Sequence, residues 1–307
     1  MKIGVSFIVI TLFSLCSTFA QSPFVKNIKR IVFLGNSITY GGMYVEDIEA
    51  YMVQRYPGYH FEFINVGLGS ETVSGLSEEG HAGGRFPRPD LHERLSRVLA
   101  QTKPDLVFAC YGINDGIYKP LNDDRSKAFR DGIIWLHKQL DSAKVKRIIH
   151  ITPMVHDDKK LRTNGYNKVM DAYSDWLLGY GKAHNWEVID LHTTLTNYLN
   201  EQIARDSTFR LAADQIHPNE EGHWQIAKII LQALNQPVKE DQKGTLMATE
   251  KDRQLFELVK ERQRLMKDAW LNSTGHKRPD MPVGLPLAEA RQRYEEIEKK
   301  IRTLQKK

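Results

Sequence analysis

Five short apolar runs constrain this chain most: Arg30–Gly35, Phe61–Gly67, Asp105–Gly112, Arg147–Thr152 and Trp186–Leu191. Each is rich in Val, Ile, Leu or Phe and none alternates cleanly with polar residues. A strand with one wet face alternates, so these are strands covered on both faces, as in a parallel sheet. Between and after them, Met43–Tyr56, Asp90–Gln101, Arg125–Ala143, Asn164–His184 and Glu220–Leu234 carry apolar residues at three- and four-residue steps, the mark of helices with one buried face. The alternation predicts a doubly wound α/β fold around a five-stranded parallel sheet. Sites in such sheets form at the carboxyl ends of the strands. Ser37, the stretch after Gly67 and the stretch after Gly112 all fall there.

The 307 residues suffice for one large domain with an appendage. A net charge of +5, without a dense Lys/Arg tract interleaved with aromatics, gives nucleic-acid binding little support. The first twenty residues read as an export signal. Lys2 is the positive start, and Ile3 to Cys16 is apolar but short for a bilayer. Small residues before Gln21 place the cleavage there, with periplasmic or extracellular delivery. Leu15 is too large for a lipoprotein site at Cys16. Cleavage leaves Cys110 alone, so the mature chain has no internal disulfide and Cys110, in LVFACYG, reads as a buried apolar residue. No later stretch has the length and apolarity to span a membrane. After the domain at 21–235, a polar linker is expected at 236–248. Thr249 with Asp252 then forms a capping box that opens a helix with Leu255, Leu258, Val259, Arg262, Leu265, Met266, Ala269 and Trp270 along one stripe. Pro286 starts a last helix, so 249–307 is a helical hairpin, folded on itself or packed back onto the main domain.

Residues able to do chemistry lie at the strand ends. Ser37 sits in IVFLGNSIT, where Asn36, Ser37 and Thr39 also suit plain helix capping. A serine hydroxyl attacks only when a base takes its proton, and a carboxylate must orient that base. Asp214-Gln215-Ile216-His217, followed by Pro218, offers such a pair on one turn of loop. An oxyanion needs donors. The turn around Gly67–Thr72 offers backbone N–H groups, and Asn114, just past a buried strand, offers a carboxamide. The long insert Ser74–Asp90 can border the cleft, where His81, Arg85 and Arg88 are candidates for binding substrate. His276, Lys277 and Arg278 in the hairpin loop invite the same role with less support. A metal cluster of Asp214, His217 and His223 lacks metal-site spacing, so no metal and no cofactor is expected.

These blocks, in this order and spacing, resemble the SGNH (GDSL-type) hydrolases over roughly residues 29–235: Gly35-Asn36-Ser37-Ile38, the glycine block at Gly67–Thr72, Gly112-Ile113-Asn114-Asp115 and Asp214-Gln215-Ile216-His217-Pro218. The resemblance implies a flavodoxin-like three-layer α/β/α fold and acyl-ester hydrolysis. It assigns Ser37 as nucleophile, His217 as base and Asp214 as its orienter. The oxyanion hole it implies comprises Ser37 N–H, Asn114 and a glycine-block N–H from Gly69 or Ser70. Two departures stand out: Asn36 replaces the family's Asp before the nucleophile, and Ser70 stands where the second glycine is usual. The expected function is an exported esterase releasing short acyl groups, acetyl foremost, from carbohydrate. A lipase for longer acyl chains and a silent glycan-binding protein are the alternatives.

Overall fold

Each of the five apolar runs forms a parallel strand: β1 (Arg30–Gly35), β2 (Glu62–Asn65), β3 (Leu106–Cys110), β4 (Arg147–Ile151) and β5 (Glu187–Ile189). The computed structural model describes residues 27–157, 165–238 and 242–306. The expected export signal and cleavage site, Cys16 and the expected helix start at Asn164 lie outside them. The strands lie in the order β2-β1-β3-β4-β5, so β1 and β3 are central neighbours with Gly35 opposite Cys110. The helices are α1 (Ser37–Gly41), α2 (Met43–Arg55), α3 (Leu95–Thr102), α4 (Asp123–Ser142), α5 (Asn167–His184), α6 (Leu191–Arg205), α7 (Glu220–Ala233), a short α8 (Gln242–Thr245), α9 (Glu250–Thr274) and α10 (Leu287–Lys306). Helices cover both sides of the sheet, giving the α/β architecture of SGNH hydrolases.

The strands are apolar because both faces are packed. Phe33 stacks on Phe63 at 6.1 Å and on Phe108 at 4.9 Å, while Phe129 stacks on Tyr173 at 4.1 Å. Cys110 is a free, half-buried thiol whose pKa burial pushes up to about 12, which suits packing and not reactivity. Among the described residues no helix is long and apolar enough to cross a membrane.

The structure departs from the sequence expectation in three places. The helix expected at Asp90–Gln101 splits into a 3-10 turn, Leu91–Glu93, and α3. Helix α6 has no counterpart in the sequence reading. Its buried Leu191, Leu195 and Leu199 recur every four residues, but Thr193, Thr194 and Thr196 between them are weak helix formers, and the Asp190 cap on Thr193 N–H supplies the start. The segment expected to be a polar linker is docked: Leu246 and Val238 are buried, and Gln236 accepts from Tyr56 Oη at 2.6 Å.

The terminal hairpin folds on itself and also packs on the main domain. Thr249 and Asp252 make the expected capping box at the start of α9. β2 is an edge strand with unsatisfied backbone groups, and α9 lies along it. Gln263 donates to Phe63 O at 3.1 Å and to Glu49 Oε2 at 2.5 Å. Arg262, with its side chain 2% exposed, meets Glu49 at 2.6 Å and also pairs with Glu298 of α10. That one guanidinium therefore locks α2, α9 and α10 together. Burial raises the Glu49 pKa, and the Arg262 charge only partly offsets it.

Arg262→Met should cost about 3–5 kcal/mol near neutral pH, because it leaves the buried Glu49 without its cation, while Glu298 keeps Arg302. Glu49 then has a further raised pKa, so the folded form binds more protons than the unfolded chain, and the deficit should grow as pH rises from 5 to 8. Urea unfolding of both proteins across that range measures it; a deficit that shrinks with pH would contradict this account.

Candidate active site

β1 stops at Gly35 and α1 begins two residues later. Asn36 Oδ1 accepts from Ile38 N–H at 3.0 Å, so the capping reading of this stretch holds for Asn36. Ser37 is the first residue of α1, where a backbone N–H has no intrahelical partner. Asn65, at the end of β2, holds this turn from beneath: its Nδ2 donates to Thr39 O at 2.6 Å and its Oδ1 accepts from Gly67 N–H at 2.9 Å. Gly67 must be glycine because a Cβ there would run into the Tyr40 amide nitrogen and the Thr39 carbonyl carbon. The glycine block is thereby pressed against the serine turn.

The loop after α6 brings the other half. Asp214 Oδ1 accepts from Ile216 N–H at 3.0 Å and His217 N–H at 2.7 Å, so the carboxylate caps its own turn. Gln215 between them takes the left-handed conformation (φ 76°) that tightens that turn. The opposite oxygen, Oδ2, is 2.6 Å from His217 Nδ1, and His217 Nε2 is 2.8 Å from Ser37 Oγ. Three side chains from two segments thus form one continuous hydrogen-bonded line. Partial burial alone would raise the Asp214 pKa, but bonds from the His217 ring and from both backbone N–H groups bring it below the usual carboxylate range. Asp157, after β4, steadies this loop by accepting from Leu211 N–H at 2.7 Å and Ala212 N–H at 3.0 Å. The pair stands in the open: the His217 and Asp214 side chains are 50% and 55% exposed.

The proposed donors converge on the same edge. Among the described residues, the N–H groups of Ser37, Gly69 and Ser70 have no acceptor within the protein. Ser70 has φ 66°, a conformation that glycine adopts freely and that costs another residue roughly 1 kcal/mol. Asn114 Nδ2 gives one hydrogen to Glu71 O at 3.1 Å, and its Oδ1 accepts from Tyr118 Oη at 3.1 Å, which orients the carboxamide and leaves its second N–H available. Beneath lies a buried network: Arg94 grips Glu71 at 2.5 and 2.7 Å, and Tyr111 Oη donates to Glu71 at 2.7 Å. Asp115, fully buried, accepts from Val73, Ser74 and Gly112 N–H, each at 2.9 Å. Sequence reasoning missed Asn65, Glu71, Arg94, Asp115 and Asp157 as supports. Their partners lie up to 55 residues away, and a signal came only from neighbourhood to the blocks: Asn65 and Glu71 at the glycine block and Asp115 beside Asn114.

The insert candidates do not act as one set. Arg88 is buried: its Nε and Nη2 go to Glu78 at 2.6 and 2.7 Å and its Nη1 to Ser70 O at 3.5 Å, so it is held against the glycine block and is not free in the cleft. Its charge instead lies 5.2 Å over the Tyr118 ring, so it supports the residue that orients Asn114. His81 shares Glu78 at 3.1 Å. Arg85 is exposed and pairs with Asp280 at 2.9 Å, tying the insert to the hairpin loop. His223 is turned into the core, stacked on Tyr44 at 6.0 Å. Among the described residues, no group of three or more His, Cys, Asp or Glu could hold a metal ion.

Solved structures similar to this one share the fold. An α/β hydrolase enzyme from the metagenome of Lake Arreo, Spain, is 24% identical with a TM-score of 0.56, over 71% of this chain and 99% of that one. Axe2, an acetylxylan esterase from Geobacillus stearothermophilus, is 23% identical with a TM-score of 0.53, over 69% and 97%. A gut microbial diltiazem-metabolizing enzyme is 22% identical with a TM-score of 0.54 over 67% of this chain, which spans 47% of that longer one. No curated protein matches in sequence. The model of the GDSL-like lipase/acylhydrolase family matches residues 33–225, which hold every block described above. The chain belongs to that family.

Proposed function

We propose that this protein is an exported serine esterase that removes short acyl groups, acetyl foremost, from carbohydrate. The observation that carries the reading is the unbroken line from Ser37 Oγ through His217 to Asp214, at 2.8 and 2.6 Å. Ser37 Oγ attacks the ester carbonyl as His217 Nε2 takes its proton. Asp214, kept ionised by its hydrogen bonds, fixes the ring tautomer and stabilises the imidazolium. The carbonyl oxygen becomes an anion facing the N–H of Ser37, the N–H of Gly69 or Ser70, and Asn114 Nδ2. Collapse breaks the C–O bond to the sugar, whose oxygen leaves with the proton from His217. Water then repeats the sequence on the acyl-enzyme and releases the acid.

Support for a saccharide leaving group comes from the half-exposed His217, which hands its proton to the solvent side where a bulky alcohol has room. The acetylxylan esterase among the structural neighbours supports acetyl on a sugar. The apolar start of the sequence, with small residues before Gln21, supports export.

Activity of the chain from Gln21 on p-nitrophenyl acetate and acetylated xylooligosaccharides is the direct test. Ser37→Ala should abolish hydrolysis and labelling by a fluorophosphonate probe. A probe that leaves Ser37 unlabelled, with glycan binding intact, favours a silent binding protein; rates that climb with acyl length favour a lipase. Asn114→Ala should lower kcat on the order of 10²-fold with KM little changed. The acid limb of kcat/KM against pH should report one proton, because Asp214 stays ionised below its ordinary value and only His217 must lose a proton; a two-proton limb would mean the carboxylate titrates with it. N-terminal sequencing of the exported protein should begin at Gln21.

A further inference from the structure

The end of the insert at 74–90 is fastened to the glycine block. Thr72 N–H donates to Pro89 O at 2.9 Å, and Leu91 N–H donates to Thr72 O at 3.0 Å. Within the insert, Arg88 N–H donates to Ser77 Oγ at 2.9 Å. The Arg88 side chain, 5% exposed, starts from a backbone fixed in this way. Each of its nitrogens is accounted for: Nε and Nη2 donate to Glu78 at 2.6 and 2.7 Å, and Nη1 lies 3.5 Å from Ser70 O. Its Cζ stands 5.2 Å over the Tyr118 ring. Arg88 thus reaches both arms of the proposed oxyanion hole: the glycine block directly, at Ser70, and Asn114 through Tyr118.

The backbone at Tyr118 needs such a contact. Ile117 and Tyr118 are consecutive left-handed residues, with φ 47° and 52°. Branched and bulky side chains hold that conformation only where their surroundings enforce it, and such strain gathers at functional sites. The Tyr118 ring is packed by Arg88 and by Tyr166, stacked at 4.8 Å, and Tyr166 Oη donates to Ile113 O at 2.7 Å. Asn114 is therefore clamped from both sides in sequence. Tyr118 Oη gives its proton to Asn114 Oδ1 at 3.1 Å, which fixes the end of the carboxamide that carries the oxygen and so aims the Nδ2 hydrogens. An oxyanion is stabilised by donors already aimed at it, so a carboxamide free to turn loses much of its effect. Burial would raise the Glu78 pKa, but the bonds from Arg88 and His81 bring it down to about 2, so the Glu78–Arg88 pair stays charged throughout the neutral range.

We infer that Arg88 is a positioning residue for acyl transfer, fixing the orientation of Asn114 through Tyr118 and the place of the glycine block through Ser70. This role rests on the esterase reading above. In hydrolysis of p-nitrophenyl acetate, Tyr118→Phe should lower kcat about tenfold, short of the full loss of a donor, with KM little changed. Arg88→Met should lower kcat at least as far, since it acts on both arms. With Asn114 already Ala, Tyr118→Phe should have no further effect, because no carboxamide is left to orient, and Arg88→Met should keep only the part that acts through Ser70. A general weakening of the fold would instead cost the same in both backgrounds. A Tyr118→Phe chain with unchanged kcat overturns the inference, as does a loss carried by KM or one undiminished in the Asn114→Ala chain. If Arg88→Met is poorly folded by thermal unfolding, Arg88→Lys takes its place. It keeps the charge over Tyr118 but loses the fork to Glu78, so kcat should still fall, and an unchanged kcat overturns the inference. A crystal structure of the same Arg88 variant should show Tyr118 Oη drawn away from Asn114 Oδ1. An unmoved pair overturns the inference whether or not the unsubstituted chain hydrolyses p-nitrophenyl acetate, a result that bears on the esterase reading separately.

Discussion

Carboxylates buried at the carboxyl edge of the sheet hold this structure's functional end together. A parallel sheet delivers its loops to one edge but does not orient them, and each loop carries backbone N–H groups that burial would leave unpaired. Asp115 takes up such groups from two loops at once, binding Gly112 on its own strand end and Val73 and Ser74 from the glycine block. Asp157 does the same for Leu211 and Ala212, the foot of the Asp214–His217 turn. A carboxylate accepting several N–H bonds has its charge compensated without a cation. Burial pushes the Asp115 pKa up, and those three N–H groups offset it only in part. Glu71 is the variant that does use a cation, Arg94, and its backbone oxygen is what Asn114 leans on.

The terminal hairpin solves two problems with one element. β2 lies at the edge of the sheet, and an open edge invites pairing with another chain. α9 closes it through Gln263 on Phe63 O, with the Glu49–Arg262–Glu298 cluster pinning the helices in register. A helix as long as α9, Glu250–Thr274, then runs from that edge to α3, so the loop that follows emerges beside Gly69. Tyr40, three residues past Ser37, also donates to Asp268 of α9 at 2.9 Å, so hairpin and nucleophile turn are mechanically joined.

The strands were legible because burial on both faces writes itself into composition: β1 begins and ends where its apolar run does, and the other four fall inside theirs. Three of the four blocks were legible because they follow β1, β2 and β3 in order; the fourth, Asp214–His217, lies between α6 and α7 and was legible from its Asp-His spacing and the following Pro218. What stayed hidden depends on partners distant in sequence. Arg88 looks like any exposed basic residue of a loop until Glu78 is seen to hold its Nε and Nη2 and Ser70 O its Nη1. Helix α6 was masked by threonines whose cost is met by a cap and by packing, neither of which periodicity weighs. The docking of the segment after Leu234 turns on a few buried residues, Gln236, Val238 and Leu246, within polar surroundings.

Rigidity and exposure are therefore divided across the site. On the proposed function, the side that stabilises an oxyanion is built from the β1 and β3 ends and the glycine block, braced by the buried Glu71, Arg94 and Asp115, as preorganised electrostatics require. The proposed alcohol side is made of exposed Asp214 and His217, the insert at 74–90 and the hairpin loop at 272–284, the last two joined by the exposed Arg85–Asp280 pair and by Arg278 over the Phe86 ring. Exposed pairs contribute little stability, so the Arg85–Asp280 contact can change without loosening the catalytic side, whereas Arg88 and Glu78 of the same insert brace Tyr118 beneath Asn114. A core built in this way leaves the exposed loops around it free to differ.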